Sequence, residues 1–228
     1  MYIVINILRN GFDNETIFYV ITFMLAILVS ITLHEFAHAF VASKMGDDTA
    51  KRMGRYSLNP LNHLDLFGSL AFLLFGFGWA KPVPINPLKF KEYNKGIFLT
   101  SIAGIVANIF LAFFSAGAYV LVFKLEPNIQ SEFAGFVVTF FKYLFNELLV
   151  LNIGLAVFNL LPIFPLDGFN LIFSLSKGQN KFLTFMQRYG SIILIVLFLT
   201  SFFDIALSYV VNFIATPFIN FWDFFLVI

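Results

Sequence analysis

Five consecutive residues, His34-Glu35-Phe36-Ala37-His38, combine two imidazoles and a carboxylate at a spacing suited to metal-assisted hydrolysis. Residues four apart share a face of an α-helix, so the two histidines converge on one point and can together hold a zinc ion. Glu35 lies about 100° round the helix from His34, on the flank of that face. From there its carboxylate reaches a metal-activated water without being a ligand, which is the position a general base needs. A histidine inside a helix is more often a hydrogen-bonded core residue than a ligand, and HExxH also arises by chance. Here the chain has only 3 His. Two of them fall in this motif, a pattern that shuffling the composition gives roughly one time in a thousand.

The elements that must position this motif are membrane helices. The chain of 228 residues is 60% hydrophobic and 12% charged, with a mean hydropathy of +0.88 and 34 Phe, far more apolar surface than a soluble domain of this size buries. Ionisable groups in such spans are expensive and usually have a functional reason. With no cysteine there is neither a disulfide framework nor a thiolate ligand, so His and carboxylate alone must hold the metal. The formal net charge of +1 gives no reason to expect nucleic acid. The length fits one membrane domain, residues 1–228, with no large soluble module. Arg9, Asp13 and Glu15, without a small-residue cleavage site, speak against a cleavable signal.

The expected fold class is an all-α polytopic membrane protein. About four full spans are expected, with one short or re-entrant segment and a small extended hairpin. The first span covers residues 16–45 and ends at Gly46-Asp47-Asp48, followed by a polar stretch to Asp65. Residues 66–80 are apolar but short, and broken by Gly68, Gly76 and Gly78. Pro82, Pro84 and Pro87 force residues 81–87 out of helix into an extended edge or hairpin. Full spans follow over 96–123 and 136–161. Residues 163–175 form a broken continuation around Pro165, Asp167 and Gly168. The core thus covers about 16–175. A fourth span over 189–211 and an aromatic tail with Trp222, lying at a membrane interface, complete the chain.

Charge asymmetry orients these spans. Basic residues concentrate between Lys44 and Lys95 and between Lys177 and Arg188, leaving only Arg9, Lys124 and Lys142 elsewhere. The loops after the first and third spans therefore face the cytoplasm, and the HEFAH motif sits near the cytoplasmic end of a multi-pass protein of the cell membrane. Catalytic zinc keeps three protein ligands and an open position, and carboxylate is an accepted third. Of the membrane carboxylates Glu147, Asp204 and Asp167, only Asp167, at the cytoplasmic end of the third span, matches His34 and His38 in depth.

HEFAH together with Asn159-Leu-Leu-Pro162-Ile-Phe-Pro-Leu-Asp167-Gly168 resembles the site-2 protease family of intramembrane zinc metalloproteases, whose signatures are HExxH and NxxPxxxxDG. The stretches GRYSLNPLNHLDLFGSL, GWAKPVPINP and SIAGIVAN are similar to the short bacterial branch without a PDZ domain. The resemblance implies one zinc per chain held by His34, His38 and Asp167, with Glu35 as catalytic acid/base and Asn159 as a polar residue close to the site. The implied substrate is a transmembrane protein or peptide in the lipid bilayer. Many relatives carry Ala-Gly-Pro where this chain has Ala103-Gly104-Ile105, which keeps Asn108 in register without a helix break. Asn108 is either a helix-bridging residue or a contact to substrate backbone. His63 is a satisfied loop histidine or a group near the cleft. Residues 81–87 either pair with a substrate strand or serve as a structural turn.

A non-hydrolytic zinc-binding carrier or scaffold is the competing class. A structural zinc wants four closed ligands, and no fourth candidate matches in depth. A carrier more often shows paired broken helices in corresponding halves, which are absent here.

Overall fold

The computed structural model describes residues 14–65, 68, 81–126, 131–176 and 180–226. Among these, every regular element is helical: α1 (Asn14–Lys44), α2 (Thr49–Arg52), α3 (Tyr93–Leu125), α4 (Glu132–Asn159), α5 (Asp167–Leu175), α6 (Lys181–Phe198) and α7 (Ser201–Phe225). Five stretches are long and apolar enough to cross a membrane: Thr16–Lys44, Tyr93–Leu125, Glu132–Asn159, Lys181–Phe198 and Phe203–Phe225. The chain is a multi-pass membrane protein.

α1 runs 31 residues without Gly or Pro. Its buried hydroxyls are satisfied within the helix, Ser30 Oγ donating to Ala26 O (2.6 Å) and Thr32 Oγ1 to Leu28 O (2.6 Å). This is how polar side chains are tolerated in an apolar span. The helix stops at Gly46, whose φ of +111° only glycine adopts without strain. Gly46 N–H donates to Ser43 O and Asp47 N–H to Ala42 O, the paired bonds of a Schellman end. Asp47, left buried just beyond, becomes an anchor for the loop that follows.

α1, α3 and α4 pack together as a three-helix core, with α5 laid on α3 and α7 across α3 and α4. Small residues at the contacts let the backbones approach: Ala112 and Ala116 of α3 meet Leu149 and Ile153 of α4 and Val211 and Ala215 of α7. Asn152 Nδ2 bridges α4 to α1 through Ser30 Oγ at 2.8 Å. At the end of α4 the chain turns through Pro162 and re-enters as α5. A Cβ on Gly168 would overlap the carbonyl oxygens of Leu160 and Leu161, so glycine after Asp167 lets the first turn of α5 close against the end of α4.

Two expectations are corrected. A continuous fourth span over 189–211 does not form, because the helix ends at Leu199 and a new one starts after Thr200, giving α6 and α7. The aromatic residues around Trp222 are not a separate tail but the last turns of α7. Trp222 Nε1–H donates to Phe113 O (2.8 Å) and its ring covers Gly117, where a Cβ would stand 2.8 Å from the indole. The expected hairpin is not seen, since no strand occurs among the described residues. Residues 66–80, apart from Gly68, lie outside the described residues, and with them the expected short membrane segment.

Candidate metal centre

α1 presents His34 and His38 one turn apart, and α5 brings Asp167 to the same point. His34 Nε2 and His38 Nε2 are 3.0 Å apart, and they stand 3.4 and 3.3 Å from Asp167 Oδ2. A tetrahedral zinc with ligand bonds of about 2.0–2.1 Å separates neighbouring ligand atoms by about 3.3 Å, so the triangle has the dimensions of three corners of such a site. Asp167 Oδ2 is buried without a well-formed hydrogen bond, an expensive state for a carboxylate oxygen unless a cation completes it. Two imidazoles and one carboxylate are also a donor set that zinc accepts.

The rear nitrogens of both rings are fixed by α3. His38 Nδ1–H donates to Thr100 O (2.7 Å), and His34 Nδ1–H donates to Asn108 Oδ1 (3.1 Å). Both acceptors hold the proton on Nδ1 and turn the Nε2 lone pairs toward Asp167. Between them on the same helix face, Gly104 forms the floor, where a Cβ would lie 2.5 Å from His34 Cε1 and 2.6 Å from His38 Nε2. Thr100, Gly104 and Asn108 are spaced by four, a pattern visible in the sequence. Asn108 thereby bridges α3 to α1, the first of the two roles weighed from sequence, and in doing so orients His34.

Glu35 is engaged by the loop: its Oε2 accepts from Val83 N–H at 2.8 Å. Sequence reasoning missed this backbone donor. His63 is fully buried, its Nε2 on Ser57 O (2.7 Å) and its carbonyl receiving Lys81 N–H (2.9 Å), so it fastens the loop. Asn159 Nδ2 turns back to Leu155 O (3.0 Å) in α4. Among the described residues, His34, His38 and Asp167 are the only His and acidic side chains grouped closely enough for a metal. Glu147 is buried elsewhere on α4, and Asp204 is exposed on α7.

No family model matches the chain, and no solved structure does either. Among curated proteins, it is 43% identical over 178 residues to YwhC of Bacillus subtilis, covering 78% of this chain and 80% of that one. It is 31% identical to Rip2 of Mycolicibacterium smegmatis (80% and 69% covered) and 30% to Rip2 of Mycobacterium tuberculosis (75% and 64%). All three are named as zinc metalloproteases. The chain belongs to this zinc metalloprotease family. Zinc is accordingly its metal, and among its described residues the metalloprotease offers one group of side chains to receive it. The floor of that group is testable. Gly104→Ala is expected to weaken zinc binding by about 10- to 100-fold, as displaced support for metal ligands does. Gly154→Ala, where the added Cβ meets nothing within 4 Å, is expected to keep wild-type zinc. Equal zinc content in the two variants, measured on purified protein, would contradict this.

Proposed function

We propose that this metalloprotease works inside the membrane, as a site-2-type protease hydrolysing peptide bonds in or near the transmembrane segments of membrane proteins. One observation carries this: two corners of the ligand triangle stand on α1, a helix of membrane-crossing length and composition, about two to three turns short of its Lys44 end. His34, His38 and Asp167 would hold the zinc, which when bound supplies Lewis acidity toward a water and the substrate carbonyl. Glu35 is the general base. With one oxygen engaged by Val83 N–H, its other oxygen is left to take the water's proton and hand it to the departing amine nitrogen. Asn108 and the Thr100 carbonyl keep the protons of both imidazoles on Nδ1 throughout. A helical substrate hides its carbonyl in a hydrogen bond, so it must unwind locally before attack. Zinc-loaded protein in vesicles is expected to cleave a single-span peptide carrying a helix-weakening residue in its cytoplasmic half. Failure to cleave any membrane peptide overturns the proposal in favour of a carrier, a scaffold or a protease of soluble substrates.

The same proposal sets the zinc end toward the cytoplasm of the cell membrane. Eleven of the 14 basic residues lie between Lys44 and Lys95 or between Lys177 and Arg188. Phe158, in the last turn of α4, meets both Phe198 and Phe203, so the joint between α6 and α7 lies at the site end of α4. α7 then runs to the far end of α3, where Lys124 pairs with Asp223 (2.9 Å). α7 thus makes the fourth traverse, with α6 ending at the site end of α4. Reporter fusions at Asp48 are expected to register the cytoplasm and those after Ile228 the outside. A shared compartment for the two would overturn this orientation.

A further inference from the structure

Residues 81–86 cross the flank of the HEFAH helix, and one of their three inward N–H bonds ends on Glu35. The near end is tied twice: Lys81 N–H donates to His63 O (2.9 Å), and Arg55 Nη2 donates to Lys81 O (2.6 Å) and Pro82 O (3.3 Å). The far end is tied by Asn86 N–H to Asp47 Oδ2 (2.6 Å). Asp47 is fully buried, and its other oxygen is engaged by the amide and hydroxyl of Thr49. Between the ties, the Val83 side chain is buried in a cluster with Ala39 and Ala50, flanked by Tyr56 and Ile85. Ala39 lies one turn beyond Glu35 on α1. Pro82 and Pro84 have no N–H and keep the backbone between them out of the helical region, so Val83 supplies the one donor of this Pro-Val-Pro unit. That donor ends 2.8 Å from Glu35 Oε2.

We propose that residues 81–86 are a strap that aims the Glu35 carboxylate through the Val83 amide, with Arg55 and Asp47 as the positioning residues that hold the strap. The proposal rests on Glu35 being the general base. A glutamate has three rotatable bonds, and a misplacement of about 1 Å in a catalytic constellation can lower the rate by 10²-fold. A rigid backbone donor held at both ends by buried charged side chains removes that freedom. Arg55 reaches only main-chain carbonyls of the strap and touches neither Glu35 nor the zinc ligands by any hydrogen bond, so its effect passes through Val83. The assignment also bears on substrate docking. Three N–H groups of the strap, those of Lys81, Val83 and Asn86, are committed inward, which leaves substrate little to gain from their donors.

The test compares Val83→Pro, which deletes the N–H, with Val83→Ala, which loses apolar packing but keeps it. Cleavage of a single-span peptide, zinc content and thermal unfolding are measured on each. Val83→Pro is expected to have a kcat about 10- to 100-fold below Val83→Ala, with KM within about threefold and one zinc retained. Equal kcat in the two overturns the strap. If Val83→Pro loses zinc or fails to fold, Arg55→Ala decides: a zinc-loaded Arg55→Ala protein with wild-type kcat overturns the proposal. A lowered kcat that Arg55→Lys restores in part supports it. The strap is also read without turnover, since in protein with isotopically labelled valine the Val83 amide proton is expected downfield in wild type and shifted upfield in Glu35→Ala. An unmoved resonance rejects the Glu35 contact, whereas wild type that cleaves nothing rejects the protease assignment and leaves the strap standing.

Discussion

Zinc-loaded Glu35→Gln protein is expected to cleave a single-span membrane peptide about 10² to 10⁴-fold more slowly than wild type, the usual worth of a positioned general base. The substitution is nearly isosteric and its amide oxygen can still accept from Val83 N–H, so the loop geometry survives. What it cannot do is take a proton from water. Because the three candidate ligand atoms belong to His34, His38 and Asp167, zinc content should stay at the wild-type level, expected at about one per chain. This separation of metal retention from turnover is what distinguishes an enzyme from a carrier or scaffold, neither of which needs a carboxylate between its two histidines. Retained cleavage by the zinc-loaded variant would remove Glu35 from the chemistry.

His34→Ala, His38→Ala and Asp167→Ala are each expected to abolish stoichiometric zinc, and with it hydrolysis. The triangle supplies three donors, and two of them cannot hold a catalytic zinc against water. The loss should exceed the roughly 10- to 100-fold that follows from damaging a supporting contact, so the three variants should bind zinc more weakly than Gly104→Ala. Asp167 is the informative one. It comes from a separate helix, and metal analysis showing unchanged zinc in Asp167→Ala would exclude it from the site. Thermal unfolding of the apo variants guards against misfolding: removing a carboxylate whose Oδ2 makes no well-formed hydrogen bond should leave the apo fold intact.

Much of this architecture was written in local pattern. The spacing of His34 and His38, the Gly46 stop and the apolar runs of α1, α3 and α4 are each decided within a few turns of chain. Asp167 joined the histidines through a depth argument, since the Pro162 break and the end of α1 lie at the same level. The remainder depends on partners distant in sequence. No Gly or Pro announces the break at Leu199-Thr200, so average hydropathy ran through it. Trp222 carries the composition of an interface anchor, and only the open backbone at Gly117, on another helix, reveals where its ring goes. Asn108 and Thr100 look alike as polar residues of an apolar span, yet one uses its side chain and the other its carbonyl. Val83 acts through a backbone amide, and a backbone atom leaves no mark in residue type beyond its flanking prolines.

The closure of Gly168 onto Leu160 and Leu161 bears on biogenesis. During synthesis α1 enters the membrane with its two histidines long before α5 exists, and a pair of imidazoles alone holds zinc poorly. Only when α4 has been inserted and the Asp167-Gly168 turn has shut against its end does the third donor arrive. A partly inserted chain therefore lacks its full ligand set, and the metalloprotease cannot begin hydrolysis until its own core has assembled.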